Sequence, residues 1–552
     1  MNTDSKEAVL LKKIEVSSAG FGCQMRMGDL SGDGRLDFVL IQPDNGFDER
    51  YFPHSVAAAT AYSADGDILW QIGKPTYEQS ECNTDLPAQI YDIDRDGFNE
   101  FLCVTDGVFC VFDGKTGELK RKNPLPDPYA CDCFAIADLE GTGYPQNIII
   151  KNRYHQLWAM DLNFNVIWTY KGNIGHYPIV CDINADGREE IIAGNVVLDA
   201  DGNVLWEFDG YDFPKSICVA DLNMSGEWSI VAGGNRTRVF KTDGEEKWSL
   251  ETRAVTSEIA VGNIRPETFG FEITGFYREK DENGNENNGI FLTDYHGNTL
   301  FKEKRTEEVQ RDHISAIHNF DGKGSEHIVL TSDENCIYVY DGYMNPVYYI
   351  PDNGKIFTAD ILSDNMSQIL VYNGQNVCIY SSVEKELTKP AVASPRPQSR
   401  SLYNYTLFPY TVVDSARNAV GYAVGQFSDP DIKAWAKWCA AEGEEEAMSR
   451  ADFCIVLTEA LGMGGYSTET FFDVSRNDYF YLAVSAIKER GYIDDIVGKF
   501  APSAPVSAEF ALSMVEKAAG FIPLTTKRGE DELTKKDVAK LILQIYQNRE
   551  EI

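Results

Sequence analysis

Between about Ser18 and Ser382, short apolar runs alternate with two kinds of polar punctuation, always in the same order. An acidic turn comes first and an apolar run follows, as in Asp182-Ile-Asn184-Ala-Asp186-Gly187-Arg-Glu-Glu190 leading into Ile191-Ile192-Ala193-Gly194. A second turn then opens a run ending in Trp: Asp65-Gly66-Asp-Ile-Leu-Trp70, Asn163-Phe-Asn165-Val-Ile-Trp168, Asp201-Gly202-Asn-Val-Leu-Trp206 and Asp243-Gly244-Glu-Glu-Lys-Trp248. Each unit reads strand, acidic turn, strand, strand, hairpin, strand. A period of about forty to sixty residues with four short strands per unit marks propeller blades, none of which can bury its own faces alone. Eight such units predict an all-β fold, an eight-bladed β-propeller over residues 1–386. The Gly/Asn/Asp-rich insertions Gln42–His54 and Glu279–Asn288 read as loops on one functional face.

Past Glu384 the periodicity stops. Residues 387–408, with Lys389-Pro390, Pro395, Pro397 and Arg400, read as a linker. Residues 409–552 read as a smaller all-α domain, with helices over Lys433–Trp438, Arg450–Leu461, Tyr479–Arg490, Ala508–Ala519 and Lys535–Gln547. Ser449 and Ser507 fall at N-cap positions.

The acidic turns carry the first candidate chemistry. Asp92, Asp94, Asp96 and Glu100, their counterparts Asp182, Asn184, Asp186 and Glu190, and the related set Asp29, Asp33 and Asp37 place oxygens at alternate positions around a glycine turn. Such a ring suits a hard cation, and Ca2+ is the cofactor expected. The closing acid comes at the ninth loop position and a strand follows, so these are not helix-flanked EF-hands. Weaker copies at Asp138, Asp221, Asn319 and Asp360 are expected to keep the turn and lose the ion.

Composition narrows the partners. A formal net charge of -36 argues against nucleic acid, and no stretch is long and apolar enough to span a bilayer. The chain opens without a charged-then-apolar leader, which predicts a cytoplasmic protein, or a secreted or cell-surface one if a leader has been trimmed. Scattered cysteines inside predicted strands agree with a reducing compartment. The polar density peaks at Asn152-Arg153-Tyr154-His155-Gln156 and Gly172-Asn-Ile-Gly-His176-Tyr177-Pro178. In a propeller the start of an innermost strand faces the central funnel. Arg153, Tyr154, His155, His176, Tyr177 and Lys215 are therefore expected to converge there, with Arg236 and Arg238. That set suits β-elimination from a uronate, in which a cation offsets the carboxylate, a base takes the C5 proton and an acid protonates the leaving oxygen. The candidate catalytic residues are His176, His155, Tyr177, Arg153 and Lys215, and the partner expected is an acidic glycan.

The runs His155 to Asp161, Gly172 to Pro178, Asp182 to Gly194 and Leu198 to Trp206, with Gly289 to Asp294 and His318 to Ser325, resemble the family-eleven rhamnogalacturonan lyases. The resemblance implies a calcium-bound eight-bladed propeller that cleaves the rhamnose-to-galacturonate bond of pectin by elimination. This chain departs from the pattern at Asp212-Phe-Pro-Lys-Ser216 and Ser257-Glu258, where relatives carry His-Ala-Asp and Gln-His motifs. Loss of two funnel residues makes a different uronate, or a non-catalytic glycan-binding scaffold, the alternative expectation. A quinone-dependent dehydrogenase also has eight blades, but neither a vicinal Cys pair nor a haem motif occurs. Phe427-Ser-Asp429, Phe472-Asp473-Val474 and Phe500 to Ser507 resemble S-layer homology repeats, implying binding of a cell-wall polymer or self-association through the C-terminal domain.

Overall fold

The computed structural model describes residues 5–387 apart from short loops, the segment 410–413, and most of 447–549. Residues 45–54, 281–285 and 388–409, Lys433–Trp438 and Phe427-Ser-Asp429 lie outside the described residues. Two compact units are present, the first reaching Val413 and the second holding Asp414–Ile552. No helix among the described residues is long and apolar enough to cross a membrane.

The first unit contains eight sheets. Blade 1 pairs Gln24–Gly28, Asp37–Pro43, Val56–Tyr62 and Ile68–Gly73 in chain order, all antiparallel. Blades 2 to 7 begin at Ala88, Cys133, Ile179, Ser216, Val255 and Ile314. Blade 8 takes three strands from Lys355–Ser381 and its fourth, Val9–Glu15, from the start of the chain, so pairing of the two ends closes the ring. First strands of blades 1 and 2, 2 and 3, 3 and 4, 5 and 6, and 6 and 7 approach within 8 Å between Cα atoms. They therefore line the axis, and the fourth strands form the rim.

Stacking of blade on blade explains the sequence pattern. Second strands such as Glu100–Thr105 and Asn147–Lys151 are buried on both faces, hence the unbroken apolar runs. Rim strands expose one face, as Ile68–Gly73 does with Trp70 turned inward. The recurring Trp and the recurring turn glycine are two halves of one joint between neighbouring blades. The indole N–H of Trp70 donates to Gly114 O at 2.7 Å, that of Trp168 to Ala200 O at 2.9 Å, that of Trp206 to Thr242 O at 2.8 Å and that of Trp248 to Tyr295 O at 2.8 Å. Each acceptor lies in the next blade's rim turn, where the ring packs on the turn glycine. At Gly202 (φ +81°) an added Cβ would stand 2.6 Å from the Trp168 ring.

The second unit contains helices α1 (Arg450–Ala460), α2 (Tyr481–Glu489), α3 (Ala508–Ala519) and α4 (Lys535–Arg549). Ser449 Oγ accepts the Asp452 N–H at 3.1 Å, and Ser507 Oγ accepts the Phe510 N–H at 3.3 Å, as the N-cap reading expects. The boundary expected at 409 needs correction. Tyr410–Val413 is a strand, not part of a helical domain, and it pairs in parallel with the first strand of blade 5, Ile217 opposite Tyr410 through Ala220 opposite Val413.

Candidate functional site

The acidic turns join the trailing end of each first strand to the second strand, and their closing acids first do backbone work. Asp37 accepts the Leu30 and Ser31 N–H groups at 3.0 and 2.7 Å, Glu100 that of Ile93 at 3.0 Å, and Glu190 that of Ile183 at 3.0 Å. Asn147 and Gln368 do the same for Leu139 and Ile361 without a charge. In blade 1 the Asp29 carboxylate accepts the N–H groups of Gly32 and Gly34, while buried Arg35 pairs with Asp33 at 2.9 Å and Asp65 at 2.7 Å. Asp29, Asp33 and Asp37 thus sit in a turn that carries a cation of its own, Arg35.

Blade 2 differs. Asp92, Asp94 and Glu100 each bring an oxygen within 4.8 Å of the others'. Lys120 Nζ stands among them, 2.7 Å from Asp94, 3.1 Å from Asp96 and 2.8 Å from Glu100. Burial, then the nearness of Asp96 and Asp94, pushes Asp92 up to about 6. Burial pushes Glu100 up to about 7 against the pull of Lys120, and Glu190 likewise to about 7 beside Asp186 and Asp182. In blade 4 the Asn184 amide nitrogen donates to Glu190 at 2.9 Å, and its oxygen accepts the Asp186 N–H at 2.8 Å. The donor sets of blades 2 and 4 fit a hard cation.

A second constellation forms at the opposite, leading ends of the first strands. Asp85, Asp132 and His176 stand just ahead of the first strands of blades 2, 3 and 4, and the antiparallel second strand of blade 3 returns Lys151 and Arg153 to the same end. Asp132 receives Lys151 Nζ at 2.6 Å and Arg153 Nη1 at 3.0 Å. Asp85 Oδ2 lies 3.2 Å from His176 Nδ1 and 3.5 Å from Arg153 Nη1. The Tyr154 ring is edge-on to His176 at 5.6 Å and beneath the Arg153 guanidinium at 5.1 Å. Asp85, Asp132 and Lys151 are at most 1% exposed, whereas His176 keeps 8% and Arg153 9%. The ionic base is enclosed, and the His and Arg edges reach the surface.

The electrostatics hold this arrangement in one state. Burial opposes the Asp85 charge, but the His176 hydrogen bond and the charges of His176, Arg153 and Lys151 bring the carboxyl down to about 2. Burial also opposes the Lys151 charge, yet Asp132, Cys133 and Asp85 raise its pKa. The Asp85 carboxylate faces Nδ1 of His176, which favours the tautomer protonated there. Asp85 Oδ1 is buried and lacks a hydrogen-bond partner among the described residues.

Of the side chains expected to converge, His176, Arg153 and Tyr154 do so. Tyr177 does not face a ligand: it is fully buried, donates to Phe134 O at 2.5 Å and accepts from Gln89 Nε2 at 2.5 Å, tying blades 4, 3 and 2 together. His155 and Lys215 are exposed and outside the cluster. Arg238 pairs with Glu246 on blade 5, its Nε donating at 2.6 Å, and Arg236 is exposed. Residues 209–213, which include the first two residues of the departure entering blade 5, lie outside the described residues. Sequence reasoning missed Asp85, Asp132 and Lys151, although both acids stand, like His176, immediately before an axial strand.

Eight sheets of four or five strands around an axis, with a buried ionic cluster at the leading ends of the axial strands, define an eight-bladed propeller. Among known proteins, the chain is a distant homologue of the rhamnogalacturonan lyases. It is 24% identical over 258 residues to rhamnogalacturonan exolyase YesX of Bacillus subtilis, covering 36% of this chain and 42% of that protein. It is 25% identical over 240 residues to rhamnogalacturonan endolyase YesW of the same organism, covering 33% and 38%. The matched segment spans about two-fifths of the length of these relatives. Solved structures similar in fold include rhamnogalacturonan lyase YesW, with a TM-score of 0.49 at 16% identity covering 72% of this chain and 81% of that one. The exotype lyase YesX gives a TM-score of 0.47 at 18% identity, covering 68% and 76%. No family model matches the chain.

Proposed function

We propose that the protein is a carbohydrate-active propeller that cleaves a rhamnose- and uronate-containing glycan by β-elimination at the His176 cluster. The observation that carries this is the Asp85-held His176 ring beside Arg153, both reaching the surface above an enclosed ionic base. Homology to lyases supports it. His176 Nε2 takes the proton from C5, made acidic by the adjoining carboxyl, while Arg153 offsets the negative charge that builds on that carboxylate. Electrons left at C5 form the C4–C5 double bond, the C4–O bond breaks, and the Tyr154 hydroxyl delivers a proton to the departing oxygen. Asp85, 3.2 Å from Nδ1, orients the imidazole and favours the tautomer that carries its proton on that nitrogen.

Ca2+ is part of the proposal as a structural ion. Asp92, Asp94 and Glu100 would hold it in blade 2, and Asp182, Asn184, Asp186 and Glu190 in blade 4, where it would neutralise crowded carboxylates. These turns are at the far ends of the axial strands from His176, so the ion has no share in the proton transfers. The second reading, a glycan-binding scaffold tethered by its helical unit, is favoured by the departures entering blades 5 and 6.

Ultraviolet absorbance of the unsaturated uronate, followed on rhamnogalacturonan and its oligomers, tests the choice. Product that vanishes in His176→Ala establishes the lyase and its base. Oligomer binding without absorbance, lost in Arg153→Ala, establishes the scaffold.

A further inference from the structure

The described strands hold one feature that a ring of four-stranded blades does not need. Tyr410–Val413 lies on the inner side of blade 5, beyond its first strand, where other blades present a bare edge to the axis. Blade 7 also has a fifth strand, Lys6–Glu7, but on its outer side, against Pro346–Ile350. Pairing with Ile217–Ala220 is parallel, and the added strand also comes within 8 Å, between Cα atoms, of Ile179–Cys181, the first strand of blade 4. That strand starts directly after His176, Tyr177 and Pro178. A segment of the chain's own therefore runs down the axial channel beside the strand that sets the candidate base in place.

We propose that Tyr410–Val413 gates the funnel, occupying it in the resting protein and leaving it when a ligand is to reach His176. Strand addition to an open sheet edge is a recognised mode of peptide docking, and here it is made with a tethered segment. Four residues joined along one edge make a short ladder, the kind that opens locally without loss of the fold. Tethering keeps the effective concentration of the strand high, so closure is the default and release is local. A ligand that binds only the open form pays for opening, and its apparent affinity falls by the open fraction. The gate regulates the site proposed above and rests on that reading, but its test uses no glycan and no activity.

The test is made on the full chain with Val412→Pro, which removes a strand N–H and fixes a φ that disfavours continued pairing. Amide hydrogen exchange is read at Ile217–Ala220, with Cys133–Ala137 of blade 3 as the control for an intact propeller. Carbethoxylation by diethylpyrocarbonate is read at His176, with exposed His155 as the internal standard. In the parent protein the Ile217–Ala220 amides on the inner edge are slow and His176 reacts far more slowly than His155. In Val412→Pro those amides exchange about tenfold faster, His176 labelling rises several-fold, and both controls stay unchanged. Amides that are already fast in the parent, or His176 labelling that does not move once the strand is released, overturn the proposal. Should Val412→Pro disturb blade 3, the milder Thr411→Gly, Val412→Gly pair replaces it under the same readings; protection unchanged in that pair also overturns the proposal.

Discussion

Lys151 is a lysine without solvent-exposed surface, its ammonium held by Asp132 at 2.6 Å and the Arg153 carbonyl at 2.7 Å. Removing one member of a buried pair strands the other, so Lys151→Met is expected to cost about 3–5 kcal/mol. Denaturant unfolding with an unchanged m-value checks it; a loss under about 1 kcal/mol, the scale of a surface pair, would show the pair to be solvated. Asp85 makes a prediction about pH. Its folded value of about 2 lies below the ordinary carboxyl value of about 3.9. A depressed acid contributes stability above its unfolded pKa and gives it up as pH falls through the folded one. Asp85→Asn should therefore be less stable than the parent at pH 7, with the gap narrowing as pH drops from about 4 toward 2, measured as unfolding midpoints across that range. His176 was legible in the sequence because a glycine turn and a proline isolate it. Lys151 was not: after three isoleucines it reads as a solvated strand end, and its partner Asp132 stands just ahead of the neighbouring strand, brought to it only by the fold.

At the scale of the element, the blade joint accounts for the sequence period. A strand ending in Trp has no use for its indole N–H inside its own sheet, and in four blades that group reaches the next blade's rim turn. Trp206→Phe keeps a ring and loses the bond to Thr242 O, for an expected loss of about 1 kcal/mol. Gly202→Ala puts a side chain at φ +81° and a Cβ 2.6 Å from the Trp168 ring. Backbone strain alone costs about 1–2 kcal/mol there, and displacement of the ring adds to it. Thermal unfolding of the two variants separates the effects, and a neutral Gly202→Ala would refute the joint. The repeat made blade order and number readable because each blade is local in sequence. Tyr410–Val413 escaped because its partner is nearly two hundred residues earlier on another blade, and its Tyr-Thr-Val-Val run stands between a Pro-rich linker and segments of helical pattern. The counter-charge in the blade 1 turn was hidden for a related reason: Arg35, which pairs with Asp33 and Asp65 there, is spelled like the Arg188 that in blade 4 turns outward to Asp201.

For the whole molecule the question is how a chain of net charge -36 keeps a closed ring together. Each blade touches only its neighbours, and the last is completed by Val9–Glu15, so the ring is as strong as its weakest seam. Crowded acids at the trailing ends of the axial strands load those seams. Asp92 at about 6 and Glu100 and Glu190 at about 7 are raised above their ordinary values. A raised acid takes up its proton more readily folded than unfolded, so these turns favour the fold at lower pH and work against it as pH climbs through 6 and 7. A cation bound only by the folded turns reverses this, adding about 2.7 kcal/mol at a hundredfold excess over its dissociation constant. Calcium should therefore raise the melting temperature above pH 7 relative to chelator, and should do little near about pH 5, where protons already occupy the same oxygens. Lys120 tells the turns apart, since its ammonium already stands where an ion in blade 2 would sit. Lys120→Met should melt earlier than the parent in chelator and recover with calcium, because the ion replaces the lost charge. Arg35→Met, in the self-contained turn of blade 1, should melt earlier and stay there. Calcium that fails to move the parent above pH 7 and also fails to rescue Lys120→Met would leave the acidic turns as backbone caps alone, with hydrogen bonds from the closing acids as the reason they recur.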